Sequence, residues 1–187
     1  MRFAITGELG FIGTNLAKAI EQSGNTFVSL LGDETGLACI DTGEPCVYGN
    51  SEKEWERILA DKKIDVLIHN AAVVGTDVVA LNSEFSTLSN VMGTHTIARA
   101  ANKVSVPVCY TGTTVIYDTK SYQDCAITEL SELNPKTFYG IQKLAAEQII
   151  KHNCDEWMIV RPLFAYGGHG DMNSLIAKTL YSHLTDA

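Results

Sequence analysis

Arg2-Phe-Ala-Ile-Thr6, Gly7-Glu-Leu-Gly10-Phe-Ile-Gly13 and Asn15-Leu-Ala-Lys-Ala-Ile20 follow one another almost without a break, and their succession decides the fold. The first segment is a short apolar run rich in strand formers, as a buried strand requires. The second spaces glycines at Gly7, Gly10 and Gly13. The third sets its apolar side chains at helical intervals. Strand, glycine-rich turn and helix, in that order, is the context in which a dinucleotide fingerprint has physical meaning. One glycine permits the tight turn, another admits a pyrophosphate against the backbone, and a third lets helix and strand pack closely. The first amides of the helix then face the phosphates along a favourable dipole. The spacing here is Gly-x-x-Gly-x-x-Gly, which departs from Gly-x-Gly-x-x-Gly. A plain strand-to-helix turn is the competing explanation.

Outward from this unit the texture keeps alternating. Thr26-Phe-Val-Ser-Leu-Leu31, Pro45-Cys-Val-Tyr48, Asp65-Val-Leu-Ile-His69, Val106-Pro-Val-Cys-Tyr110 and Trp157-Met-Ile-Val160 read as further strands. Helices are expected around Glu54-Trp-Glu-Arg-Ile-Leu59, over residues 89–102 with Val91, Ile97 and Ala101 facing the core, and over residues 137–151. This rhythm predicts an α/β fold, a doubly wound parallel sheet of Rossmann type. Ligands of such sheets bind beyond the carboxyl ends of the strands. The 187 residues suffice for one domain with a real core.

Composition narrows the function classes. With 22 acidic and 14 basic side chains the formal charge is -8, and no basic cluster suggests a nucleic-acid surface. The N-terminal apolar run is short and broken by glycines, so neither a signal peptide nor a membrane span is expected. Cys39, Cys46, Cys109, Cys125 and Cys154 show no paired spacing; reduced thiols and a cytoplasmic location are the expectation. The histidines show no ligand spacing, so no metal site is predicted.

Tyr139-Gly-Ile-Gln-Lys143 carries the chemistry. A phenol and an ammonium four residues apart on a helix share a face. A free phenol titrates at about 10, and an adjacent cation is expected to lower it. Bringing it to neutrality takes roughly 4 kcal/mol of differential stabilisation. Taken alone, such a pair also occurs on helices that catalyse nothing.

Several segments now stand in order: the glycine turn, His69-Asn-Ala-Ala72, Asn90-Val-Met-Gly-Thr94, Thr113-Thr-Val-Ile-Tyr117 with Thr113 following a strand, Tyr139 to Lys143, and Arg161-Pro-Leu-Phe-Ala-Tyr-Gly167. Together they resemble the extended short-chain dehydrogenase/reductase superfamily, and within it the NAD-dependent epimerase/dehydratase family that acts on nucleotide sugars. The resemblance covers essentially the whole chain. It implies hydride transfer to or from NAD, with NADP possible, and a nucleotide-sugar substrate. It implies Thr113 as the hydroxyl that stabilises the substrate oxygen, Tyr139 as general acid/base, and Lys143 as the residue that binds the nicotinamide ribose and tunes the phenol. It further implies cofactor contacts from Gly7, Gly10, Phe11, Ile12, Gly13, Ser51, His69, Ala71, Ala72, Val73, Asn90 and Leu163. For Asn90 a surface-exposed asparagine is the plainer alternative. His69 is expected beside the cofactor, without a metal or proton-transfer role.

Some positions depart from the family pattern. The acid that holds the NAD ribose aligns with Leu31, so Asp33 is expected to substitute, and the acid following the third strand is Asn50. Phe164 stands where epimerases often have a substrate-contacting asparagine, which, with Tyr117-Asp118, leans toward the dTDP-4-dehydrorhamnose reductase branch. Members of the family also continue into a smaller lobe that closes over the sugar. Residues from about 163 to 187 would begin that part, with a helix over 174–183. A homodimer built on a helix bundle is implied as well. The alternatives left open are a keto-sugar or other carbonyl reductase and a catalytically silent dinucleotide-binding module.

Overall fold

The computed structural model describes residues 1–30, 51–118 and 126–167. Within them a five-stranded sheet runs in the order β2-β1-β3-β4-β5, with every neighbouring pair parallel. The strands are β1 (Arg2–Thr6), β2 (Thr26–Leu30), β3 (Val66–His69), β4 (Val108–Thr111) and β5 (Trp157–Val160). Helix α1 (Phe11–Gln22) links β1 to β2, and α2 (Glu52–Asp61) precedes β3. After β3 come α3 (Thr76–Leu81), α4 (Ser83–Thr87), a π-helical turn (Leu88–Gly93) and α5 (Thr94–Lys103). A 3₁₀ turn (Thr114–Ile116) follows β4, and α6 (Phe138–Asn153) leads into β5. The chain leaves β1 toward one edge and returns to β3 on the other side, so the topological switch point lies between β1 and β3. In doubly wound sheets that is where a ligand crevice opens.

Alternation along the strands fills two cores. Ala4 and Leu67 join Leu30, Trp55, Leu59, Ile97, Val108, Tyr110, Ala146 and Ile150 on one face. Ile5 and Ile68, one residue further along their strands, pack with Ala17 and Ile20 of α1 on the other. Helices therefore cover both faces, the arrangement that a parallel sheet requires. Each fully buried aliphatic side chain contributes about 1.5–3 kcal/mol relative to exposure.

Three sequence expectations shift. β4 starts at Val108 and not Val106, because the Val106 amide closes the end of α5 on Ala101 O at 2.9 Å and Pro107 has no amide to give. The helix expected over 89–102 opens as the π turn. Its wider winding turns Asn90 inward, 1% exposed, and leaves Val91 only half-buried. α6 is capped by Thr137, whose Oγ1 accepts from Gly140 N at 3.0 Å. The strand expected at 45–48, the helix at 174–183, Leu31, Asp33 and Asn50 lie outside the described residues.

Candidate functional site

The glycine turn is folded tightly onto its neighbours. Gly7 adopts φ +69°, and a Cβ there would stand 2.8 Å from Ala71 Cα, so the turn lies directly against the loop after β3. A Cβ at Gly13 would come within 2.1 Å of Gly7 O and 2.6 Å of Glu8 Cα; helix and turn touch backbone to backbone. Gly10 differs. It is exposed, and among the described residues a Cβ would meet Gly7 O alone, at 3.3 Å. This approach is far looser than those at Gly7 and Gly13. Gly10 is the N-cap of α1, no side chain caps that helix, and its first turn holds no acidic residue. Its leading amides, with Phe11 and Ile12 half-buried among them, form a positive end free to meet an anion.

Beneath the loop after β3 a buried polar chain sets every proton. Thr94 Oγ1 donates to Asn90 O at 2.8 Å, since a carbonyl can only accept. The same hydroxyl must then accept from His69 Nε2 at 3.0 Å. His69 Nδ1 is left as an acceptor and takes the Thr6 hydroxyl proton at 2.8 Å. Thr6 Oγ1 in turn accepts from the amides of Asn70 (3.1 Å) and Ala71 (3.0 Å). His69 is fully enclosed, and burial, with the Lys143 charge as a smaller contribution, lowers its pKa to about 3. It is a neutral strut under Ala71 and Ala72, with both ring nitrogens engaged.

Asn90 fastens the next residue. Its Oδ1 accepts from Val73 N at 2.8 Å, and its Nδ2 donates to Val73 O at 2.9 Å and to Gln142 Oε1 at 2.9 Å. The surface-exposed alternative is therefore excluded. Gln142, between Tyr139 and Lys143, is itself buried and donates to Ser86 Oγ and Thr87 Oγ1 at 2.9 and 3.0 Å. This network ties α6 to the loop beside the glycine turn.

Gly140 brings α6 onto the turn after β4. A Cβ there would stand 2.9 Å from Val115 O, so the helix bearing Tyr139 rests directly on the 3₁₀ turn. Thr113 caps that turn, its Oγ1 accepting from Val115 N at 3.3 Å. Lys143 is 3% exposed; its Nζ donates to Thr111 O at 2.7 Å and lies 4.3 Å from the centre of the Tyr110 ring. Burial lowers the Lys143 pKa to about 7, with the Glu147 charge opposing the drop. Burial alone raises Tyr139 to about 12. This reverses the expectation of an acidified phenol. The ammonium is held on the β4 carbonyl, and desolvation governs the hydroxyl.

One turn beyond Lys143, Glu147 is completely buried. Arg161 donates to it through Nε at 3.0 and 3.1 Å and through Nη2 at 2.6 Å, and through Nη1 to the Tyr117 hydroxyl. Gly112 makes room for this group, since a Cβ there would stand 2.5 Å from Glu147 Oε1. Gln142, Glu147 and Gly140 escaped the sequence reading, although the Lys143–Glu147 spacing on one helix face was a signal for the second.

The remaining predicted residues scatter. Ser51 caps α2 in a capping box with Glu54, which engages its hydroxyl. Leu163 is exposed. Phe11 reaches toward Gly167, its ring 3.7 Å from where a Cβ there would be. Among the described residues no group of His, Cys, Asp or Glu side chains converges as metal ligands, and no helix is long and apolar enough to cross a membrane.

Comparison with known proteins adds a family and a fold. A family described as the RmlD substrate binding domain matches residues 1–183. A dTDP-glucose 4,6-dehydratase of Mycobacterium tuberculosis is 29% identical over 160 residues, 81% of this chain and 48% of that protein. A crystal structure of dTDP-4-dehydrorhamnose reductase from Bacillus anthracis in complex with NADP superposes with a TM-score of 0.76 at 20% identity, covering 97% of this chain and 59% of that one. UDP-glucose 4-epimerase of Thermus thermophilus in complex with NAD gives 0.77 at 18%, covering 97% and 61%. The chain thus spans about half the length of the curated relative it matches.

Proposed function

The chain belongs to the RmlD substrate binding domain family, and from that premise we propose that it serves an NAD(P)-dependent enzyme of nucleotide-sugar metabolism that reduces a keto sugar. The observation that carries the reading is the seating of α6. Tyr139 and Lys143 share one turn of that helix, and Gly140 lets it rest on the turn capped by Thr113. This seating supports a reading in which phenol, ammonium and hydroxyl act together at the carboxyl end of β4, where a doubly wound sheet binds its ligand.

The residues present suit a dinucleotide. Gly10 and the uncapped amides of α1 offer a pyrophosphate open backbone and a positive helix end. Ala71, Ala72 and Val73 would flank it on the loop fixed by His69 and Asn90. Asp33 and Asn50 would serve the adenosine end, and Lys143 the ribose next to the nicotinamide. When bound, the cofactor supplies the hydride. Thr113 then stabilises the charge that develops on the substrate oxygen, and Tyr139 gives that oxygen its proton. A hydroxyl pushed up to about 12 keeps its proton at neutral pH. In that state it can act as a proton donor. The dehydratase and epimerase relatives define the neighbouring chemistry this reading competes with.

The test is reduction of a 4-keto nucleotide sugar, followed by loss of NAD(P)H absorbance. Tyr139→Phe is expected to lower turnover by about 10²–10⁴-fold while leaving NADH binding intact. Undiminished turnover in the variant overturns the role of Tyr139. NADH binding without turnover in the unaltered chain supports a silent dinucleotide-binding module instead.

Self-association belongs to the same proposal. Met92 of the π turn and Phe138 and Ile141 of α6 are exposed, on helices a bundle between two copies would use. A monomer at high concentration in equilibrium sedimentation would refute it.

A further inference from the structure

We propose that Glu8, inside the glycine turn, selects NAD over NADP; the inference rests on the dinucleotide reading above. Parallel pairing sets Ser29 beside Ile5 and Leu30 beside Thr6, so the carboxyl end of β2 lies next to the point where the chain enters the turn. The Glu8 backbone is anchored there. Its carbonyl accepts from Thr14 Oγ1 at 2.9 Å, and Gly13 packs so close that a Cβ would stand 2.6 Å from Glu8 Cα. From this fixed point the side chain crosses to β2, where Oε2 accepts from Ser29 Oγ at 3.2 Å.

In a βαβ dinucleotide site the adenosine ribose lies at the end of the second strand, and an acid about 20 residues beyond the glycines usually accepts its 2′-hydroxyl. Here the carboxylate found at that strand end, among the described residues, comes from the glycine turn. It can accept the 2′-hydroxyl of NAD. A 2′-phosphate would bring a second negative group against it, and like charges at close range are unfavourable. The sequence offers no cation to offset this, since neither lysine nor arginine occurs between Lys18 and Lys53. An NADP site normally places an arginine in that region.

Fluorescence titration of the purified chain with NADH and NADPH tests the assignment. The unaltered protein is expected to bind NADH at least about tenfold more tightly than NADPH, a difference of roughly 1.4 kcal/mol. Glu8→Gln keeps an acceptor for Ser29 and removes the charge, so the two affinities should converge. Ser29→Ala leaves the turn untouched and frees the carboxylate, so it should narrow the gap in part. Equal affinities in the unaltered protein overturn the proposal and leave the dinucleotide site standing. A gap unchanged in Glu8→Gln but closed by Asp33→Asn overturns it in favour of Asp33. Failure of the unaltered chain to bind either dinucleotide overturns the dinucleotide reading together with this one.

Discussion

Helix α6 holds two cations against the sheet, Lys143 buried and Arg161 half-buried, and they are treated in opposite ways. Arg161 arrives from the residue after β5 and meets Glu147 through three short contacts, which raise its pKa further. Lys143, one turn back along the helix, has a backbone carbonyl and an aromatic face, and burial lowers its pKa to about 7. A guanidinium forked onto a carboxylate, with a tyrosine hydroxyl as third acceptor, is a finished structural joint. An ammonium with no carboxylate in ion-pair contact among the described residues retains hydrogen-bonding capacity for something else. The contrast teaches that two cations packed on one helix can serve as a girder in one place and a binding group in the other.

Substitutions can break the comparison from either end. The largest effect is expected at Glu147→Gln, which leaves the half-buried Arg161 charge without its counter-ion; stability should fall by about 3 kcal/mol in denaturant unfolding. A loss under 1 kcal/mol would show that Arg161 reaches water easily. Lys143→Met should act the other way. The folded ammonium releases its proton at about 7, whereas an unfolded lysine titrates at about 10.4. Between these values the unfolded chain binds a proton the folded one has lost, so stability rises with pH across that window. Relative to the variant, the unaltered chain should gain about 1 to 2 kcal/mol between about pH 7 and pH 8.5. The variant should be the more stable protein at neutrality while binding NADH less tightly. A pH-independent difference would mean Lys143 is not titrating there. The smallest effect is expected at Tyr117→Phe, which removes one acceptor of Arg161; about 1 kcal/mol should be lost. A loss as large as that of Glu147→Gln would shift the joint's centre from the carboxylate to the phenol.

Much of the fold was legible because it rests on local pattern. β1, the glycine turn and α1 appear where the alternation and the helical intervals place them. α6 begins one residue after the expected start because Thr137 is its cap and not its first residue. In the helix before β4, Ile97 and Ala101 face the core as the spacing predicts; only Val91 does not, since a π turn cannot be told from an α turn by the spacing of apolar residues. At the site, Tyr139 and Lys143 were visible as types at a spacing. Their protonation was not, because the phenol rises and the ammonium falls through burial, which no spacing reports. Asn90 illustrates the same limit. Its neighbours in the chain suggest a middling helix residue, while its partners Val73 and Gln142 lie 17 and 52 residues away.

By itself, then, the sequence determined the order of strands and helices, the glycine turn, and the set of polar side chains available at the strand ends. These follow from periodicity and backbone sterics within a few residues. Tertiary structure alone decided which of those side chains would find partners: His69 between Thr6 and Thr94, Glu147 under Arg161, Glu8 across to Ser29, Lys143 on the β4 carbonyl. Pairing and burial depend on which strands become neighbours. That adjacency joins segments far apart in the chain, so the charge state of each group is set only when the sheet has formed.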